Sequence, residues 1–379
     1  MTSRISPAYF AFGILGVAWV VERIRDRRWP DSLASPLCAA AAVYAAFIAL
    51  STAFSRNPAV SVRHLAGVSL LLLLPITMDV VEDVRQARIL FAAIGASGVV
   101  LAAVGFWEFA HGGDDLYNRI MGGLSHWMTY SGLTLIAASL LTGFALEDRG
   151  RWRIAGMFAV VPFAAMVLTF TRNAYVGALV AVVSYLLLRR PRGFLVLVPV
   201  LIVLFVVVPG PIRARFLSIR SLQDGSNRDR ILMVRAGIRM VADSPVFGVG
   251  PDQVRPLYPF YRDPEARDWN VPHLHNNIVQ IAAANGLFAC AAYLAMMGIF
   301  FFRVGGALRR ERRPDRAAVL AGAWLAGVAI FVAGFFEYNF GDTEVEMATL
   351  LVLAVPFSRA FARPVPESDS AAVRTPVPA

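Results

Sequence analysis

Four groups of residues carry chemistry in a chain that is otherwise mostly apolar. Arg172 stands in Thr169-Phe-Thr-Arg-Asn-Ala-Tyr175, between two apolar runs. A guanidinium so close to hydrocarbon either snorkels to a lipid phosphate or faces a buried anion. The second group is the stretch Ser226-Asn-Arg-Asp-Arg-Ile-Leu-Met-Val-Arg-Ala-Gly-Ile-Arg-Met240. At about 100° per residue, Arg228, Arg235 and Arg239 share one face and Ile231, Val234, Ile238 and Val241 the opposite one. This is the pattern of an amphipathic helix lying on a membrane or on a helical bundle. Arg230 falls on the edge of the apolar face, and a charge turned inward needs a partner.

The third group is Pro272-His-Leu-His-Asn-Asn-Ile-Val-Gln280, which opens an apolar run. His273 and His275 are two apart and do not share a helical face. With no ligand at i+4 and no nearby Cys, a helical paired-His zinc site is unsupported. A histidine at a helix N-terminus has its protonated form disfavoured by the dipole. The resulting neutral imidazole suits either a helix cap or a general base. The fourth group is Phe336-Glu-Tyr-Asn-Phe-Gly-Asp-Thr-Glu344. Asp342 and Glu344 could hold a divalent cation, but pairing with the arginines of the second group, or binding an acceptor, costs less. Several chemistries are missing. There is no Lys for a phosphate loop, Gly248-Val-Gly250 reads as a turn, and no serine nucleophile elbow is present.

The elements that hold these groups follow from composition. The chain is 57% hydrophobic and only 16% charged over 379 residues. Its mean hydropathy is +0.59. Globular domains carry about 25% charge, so the expectation is an all-α polytopic transmembrane bundle. The net charge is +10 and all 36 basic residues are Arg. They cluster between apolar runs, which is membrane topology and not a nucleic-acid footprint. Cys38 and Cys290 lie within apolar runs as small core residues.

About eleven spans are expected, within a range of 10–12. They fall at about 6–21, 33–53, 62–81, 88–110, 125–146, 153–170, 173–188, 193–210, 275–302, 317–336 and 344–361. The first carries no small-residue cleavage site and reads as a retained helix, not a signal peptide. The apolar stretch 154–188 would make a helix of about 52 Å against a hydrocarbon core of roughly 30 Å, so it must break, at Thr169–Asn173. The stretch 317–361 must likewise break at Glu337–Glu344. The arginine clusters around 23–28, 85–88, 149–153, 189–192, 303–316 and 359–374 fall on one side of the membrane. Only Arg4, Arg56, Arg63, Arg119 and Arg172 fall in short segments on the other. The N-terminus is therefore expected outside and the C-terminus inside. Residues 1–361 read as one integral-membrane domain, with 211–274 as a large, partly helical external loop and 362–379 as a disordered cytoplasmic tail. The polar breaks then gather on the external face, where a functional cavity is expected.

The order Thr-Arg-Asn-Ala in a tight turn, then Arg230 heading a helix that ends in Asp243-Ser-Pro-Val-Phe-Gly-Val-Gly-Pro251, then His275-Asn276 with Gln280 and Gly286, resembles the O-antigen ligase and O-antigen polymerase superfamily. Glu337-Tyr-Asn-Phe-Gly-Asp-Thr-Glu344 is similar to a motif of ligase-like members. The resemblance spans about 169–290 and 336–345; the first 150 residues match only as a hydrophobic pattern. It implies a C-type glycosyltransferase-like enzyme on the periplasmic face of a bacterial inner membrane. Such enzymes move a glycan from an undecaprenyl-diphosphate carrier to an acceptor. For ligases the acceptor is lipid A–core; for polymerases it is another carrier-linked glycan. Some relatives glycosylate proteins and some have been taken for transporters. No nucleotide sugar, cofactor, metal ion or nucleic acid is implied.

The family's turn arginine matches Arg172, its loop arginine Arg230 and its histidine His275. Arg215, His273, Asn276, Tyr175, Asn339, Asp342 and Glu344 complete the expected substrate-binding set. Two features depart from the family pattern. Val234 stands where an aromatic often follows the loop arginine, and eleven spans is near the low end for ligases. On this reading the two arginines grip the carrier diphosphate with their planar forks. His275 accepts the proton of the attacking sugar hydroxyl. A diphosphate whose growing charge is neutralised needs no separate general acid, so one displacement inverts the anomeric centre. A transporter would instead carry internal repeats and midplane charges, and neither is evident.

Overall fold

The computed structural model describes residues 7–27, 29–112, 118–207, 210–218 and 225–362. All regular structure among them is helical, and no strand is found there. Among the described residues eight helices are long and apolar enough to cross a membrane, so the protein is an all-α, multi-pass bundle. They are α2 (Pro36–Ala53), α3 (Pro58–Val80), α4 (Val84–Ala110), α5 (Trp127–Glu147), α6 (Arg151–Leu168), α12 (Asn277–Arg310), α13 (Pro314–Ala333) and α14 (Thr343–Ala362). The other three expected spans are also helices: α1 (Pro7–Asp26), α7 (Arg172–Arg189) and α8 (Phe194–Val207). They are not among the eight. Arg172 and Arg189 at the two ends of α7 lower the mean hydropathy of its 18 residues. The stretch after α8 adds α9 (Gly210–Leu217), α10 (Gly225–Asp243) and α11 (Val254–Tyr261). Of the expected tail, residues 363–379 lie outside the described residues.

Both expected breaks are present. The first separates α6 from α7 at 169–171, where Phe170 takes a left-handed φ of 55°. The second separates α13 from α14 over 334–342. Helix α13 sits at the centre of the bundle against α5, α7 and α12. Small residues permit this: a Cβ on Gly143 of α5 would meet the Gly322 backbone nitrogen of α13 at 2.3 Å. Such close backbone approach gives membrane helices their packing contacts.

The arginine-rich end of the bundle is closed by buried acids. Asp79 accepts from Trp19 Nε1 at 2.8 Å and pairs with Arg23 and Arg359. Glu147 accepts from Tyr185 Oη at 2.5 Å and from Arg189 Nε at 3.2 Å.

Helix α10 buries a different face from the one its periodicity suggested. Leu232, Met233, Ala236, Gly237 and Met240 are buried, whereas Ile231 is 43% and Ile238 58% exposed. The helix is turned by roughly half a revolution from the expected orientation. The cause is contact with α12 and the segment before it: Gly237 lies so close that a Cβ there would meet Val279 at 2.3 Å and Leu274 at 2.7 Å. Arg228 and Arg239 do share an exposed face, where they pair with Glu265 and Asp263.

A glycine locks α10 to α12. Gly286 interrupts α12 with φ 87° and ψ 171°. The break frees carbonyls, and the chain after α10 takes them: Val249 N–H donates to Ala283 O and Gly250 N–H to Ala284 O, both at 2.9 Å. Leu287 N–H returns a bond to Pro245 O at 2.8 Å. A Cβ at Gly286 would stand 2.0 Å from Val246 O. Gly286→Ala is expected to lower stability by roughly 2–4 kcal/mol, since it adds left-handed strain to a backbone clash. The thermal unfolding midpoint in detergent measures it; an unchanged midpoint would mean that the junction is not rigid.

Candidate active site

The non-arginine-rich end of the bundle gathers a cluster of cations and imidazoles around one buried acid. Arg172 opens α7. The break before it is tied by Tyr175 Oη donating to Val167 O and by Thr169 Oγ1 donating to Met166 O at 2.6 Å. Arg172 is only 6% exposed. Its Nη1 donates to Ser218 O at 3.2 Å and Ser218 Oγ at 3.1 Å, and its Nη2 to Ser226 Oγ at 3.3 Å. Arg230, in the first turns of α10, donates from Nη1 to the same Ser226 Oγ at 3.4 Å. One hydroxyl thus stands between the two guanidiniums.

His273 and His275 lie in the extended segment before α12, with their rings 4.4 Å apart. His275 has a left-handed φ of 50°, an uncommon backbone for a non-glycine residue. The turn is held by His275 N–H donating to His273 Nδ1 at 3.3 Å. Glu337, from the α13–α14 break, reaches both rings. His275 Nδ1 lies 2.8 Å from Oε2, and His273 Nε2 lies 3.3 Å from Oε1.

The bonding assigns the protons. His273 Nδ1 accepts a backbone N–H, so its own proton is on Nε2, facing Glu337. His275 directs its Nδ1–H to Glu337, so in the neutral ring Nε2 is the acceptor. A neutral imidazole oriented this way can serve as a general base held by a carboxylate.

Burial pushes the Glu337 carboxyl up, but the His275 hydrogen bond and the favourable electrostatics of His275, His273 and Arg230 outweigh it, leaving the group lowered. It is therefore ionised. His273 is pushed down to about 4 from 6.5, mainly by burial; Glu337 opposes this, while His275, His126 and Arg230 add to it. Folding thus favours neutral His273. The stability this gives is present above about pH 6.5 and is lost as pH falls through about 4. Wild-type protein should lose up to about 3 kcal/mol over that window, and His273→Gln distinctly less. Unfolding midpoints recorded from pH 7 to 4 decide this; parallel curves would refute it.

Two further residues belong to this cluster and were not singled out in the sequence. Arg119 lies over the Trp127 ring at 5.1 Å. Burial, together with the like charges of Arg172 and Arg230, lowers its pKa, with Tyr175 opposing. His126 caps α5 by accepting Met128 N–H at 3.1 Å. Burial lowers it too, against Glu337 and with help from His275 and Arg119. Their segment is held by Glu108, which accepts the N–H groups of Met121, Gly122 and Gly123 at 2.6, 2.8 and 2.9 Å.

Other expected site residues support the backbone. Asn276 caps α12 through Val279 N–H at 3.0 Å and donates to Phe335 O at 2.9 Å. Asn339 is buried, accepting from Asn277 Nδ2 at 2.7 Å and donating to Ile330 O at 3.1 Å. Asp342 caps α14 and accepts from Thr129 Oγ1. Glu344 is half-buried in the first turn of α14. Arg215 falls on α9, and its side chain lies outside the described residues. The acid of this motif that meets the histidines is Glu337, not Asp342. Ligand atoms of His273, His275 and Glu337 all lie within 4.8 Å of one another, the one described grouping of donors that could hold a metal ion. In the arrangement seen, the carboxylate is already engaged by both rings.

Three of the elements that build the cluster, α7, α10 and the α12 entry, lie within one stretch of sequence. No curated protein matches the chain. Residues 157–294 match the family model described as O-antigen ligase, so this part of the chain is similar to that family.

Proposed function

We propose that the protein transfers a glycan from an undecaprenyl-diphosphate carrier to lipid A–core, at the periplasmic face of a bacterial inner membrane. The observation that carries this reading is the shared Ser226 hydroxyl. It brings Arg172 and Arg230 within hydrogen-bond reach of one point, while Arg230 also acts on the acid that orients His275. A diphosphate supplies two phosphoryl groups for two planar forks.

In the reaction, an acceptor hydroxyl oxygen attacks the anomeric carbon. The bond from that carbon to the phosphate oxygen breaks, and the electron pair leaves on the carrier diphosphate. Arg172 and Arg230 stabilise the charge that grows there. The hydroxyl proton passes to His275 Nε2, and Glu337 stabilises the imidazolium. A single displacement inverts the centre, and the proton then leaves to solvent.

Purified protein given carrier-linked glycan and several acceptors tests the proposal. Modified lipid A–core is the expected product, and transfer should continue in a chelator. Longer carrier-linked chains alone would make the protein a polymerase, and glycosylated protein alone a protein ligase. Glycan uptake by proteoliposomes without transfer would make it a transporter. Loss of transfer in chelator, restored by metal, would turn the His273–His275–Glu337 group into a metal site.

A further inference from the structure

At the opposite end of the bundle a groove of about 1010 Å³ opens beside the last turns of α12. It lies roughly 40 Å along the helix from the His275 end. Its walls are apolar, formed by Leu188 of α7, Phe301 and Phe302 of α12, and Trp324 of α13. The indole N–H of Trp324 is already spent on Ser184 Oγ at 3.1 Å, so the ring offers the groove only apolar surface. Among the described residues three arginines line the groove, Arg303, Arg309 and Arg310, and no acid does. All three are exposed. The nearest acid in sequence, Glu311, is engaged elsewhere: it accepts from Arg316 Nε at 3.0 Å and from the N–H groups of Arg312 and Arg313 at 2.9 Å. Arg303 rests over the Phe357 ring at 5.3 Å, a contact that does not neutralise its charge.

An apolar groove in a membrane-spanning bundle, lined also by three cations, matches one class of molecule. The acyl chain fills the groove and the headgroup phosphate meets the arginines. We propose that this groove binds an anionic phospholipid, with Arg303, Arg309 and Arg310 on the phosphate. The charge complementarity selects the occupant: a zwitterionic lipid brings its own cation to the same arginines and gains less. A second protein helix would meet three charges with nothing to neutralise them.

Native mass spectrometry of the full chain in detergent, titrated with phosphatidylglycerol or with phosphatidylcholine of the same acyl chains, tests the proposal. Phosphatidylglycerol should bind more tightly by on the order of tenfold to a hundredfold. Arg309→Gln and Arg310→Gln should each reduce that preference, and the double substitution should remove most of it. Arg312→Gln, exposed at the same end but outside the groove, should leave it unchanged. Glycerol phosphate alone should not compete, because it lacks the chain. Equal binding of the two lipids overturns the site. So does an equal loss in Arg312→Gln, which would make the preference a property of surface charge at large. Competition by glycerol phosphate at the lipid's own concentration would reduce the groove to a phosphate contact and refute it as a lipid site.

Discussion

His275→Ala should slow glycan transfer by roughly 10²–10⁴-fold, the usual contribution of a positioned general base. Binding of the carrier should be nearly unchanged, because the arginines and not the imidazole hold the diphosphate. The reason lies in one hydrogen bond. Glu337 Oε2 accepts the Nδ1–H hydrogen bond at 2.8 Å and so selects, in the neutral ring, the tautomer whose Nε2 carries no proton. Glu337→Gln tests the same idea from the other side. A glutamine can present its N–H₂ group to Nδ1 and so stabilise the tautomer whose Nε2 carries the proton, which cannot act as a base. That variant should lose on the order of a hundredfold, and the double variant should be little worse than His275→Ala alone, since residues that act as a unit are not additive. Initial rates of transfer and separate titration of the carrier measure both. Full turnover in His275→Ala removes the histidine from the mechanism. Additive losses in the double variant would give Glu337 a role independent of the ring.

The parts of this site visible in the sequence were those with a local signature. The break before Arg172 was legible because an apolar stretch too long for a bilayer must fold back, and Thr169–Asn173 is its polar point. The break at 337–344 was legible for the same reason. Helix α10 was recognisable from its periodicity, but not the face it buries. Two apolar stripes compete there, and the contact of Gly237 with Leu274 and Val279 selects the flatter one. Local spacing also drew attention to Asp342 and Glu344, whose Asp-x-Glu pattern looks like a ligand pair. The acid that meets the histidines is Glu337, and its partner is 62 residues away. No short-range pattern reports such a pairing. Arg119 and His126 were silent for the same reason: they come to the cluster only because Glu108 pins the turn at 121–123 from across the α4–α5 connection.

Arg172→Lys keeps the charge and should still fail. Arg172 reaches three acceptors with two nitrogens of one planar group, Ser218 O and Oγ from Nη1 and Ser226 Oγ from Nη2. An ammonium is a point charge on a thinner stem and does not reproduce the fork that spans a phosphoryl group. Because Arg172 is almost fully buried, the lost contacts are not replaced by bulk water. If the guanidinium stabilises the departing diphosphate, its interaction is strongest in the transition state. The loss should then fall on kcat more than on KM. A loss of roughly 10²–10³-fold in kcat/KM is expected, the scale of removing one donor from a developing anion. Inorganic pyrophosphate gives a second readout. It should inhibit the wild type in competition with the donor and lose at least about tenfold in potency against Arg172→Lys, since an Arg–phosphate fork is a strong charge-assisted contact. A variant with normal transfer and normal pyrophosphate inhibition would leave Arg172 as a lipid-facing charge. The anion would then belong to Arg230 and Arg119. A variant with normal inhibition but poor transfer would put Arg172 on the acceptor side of the reaction.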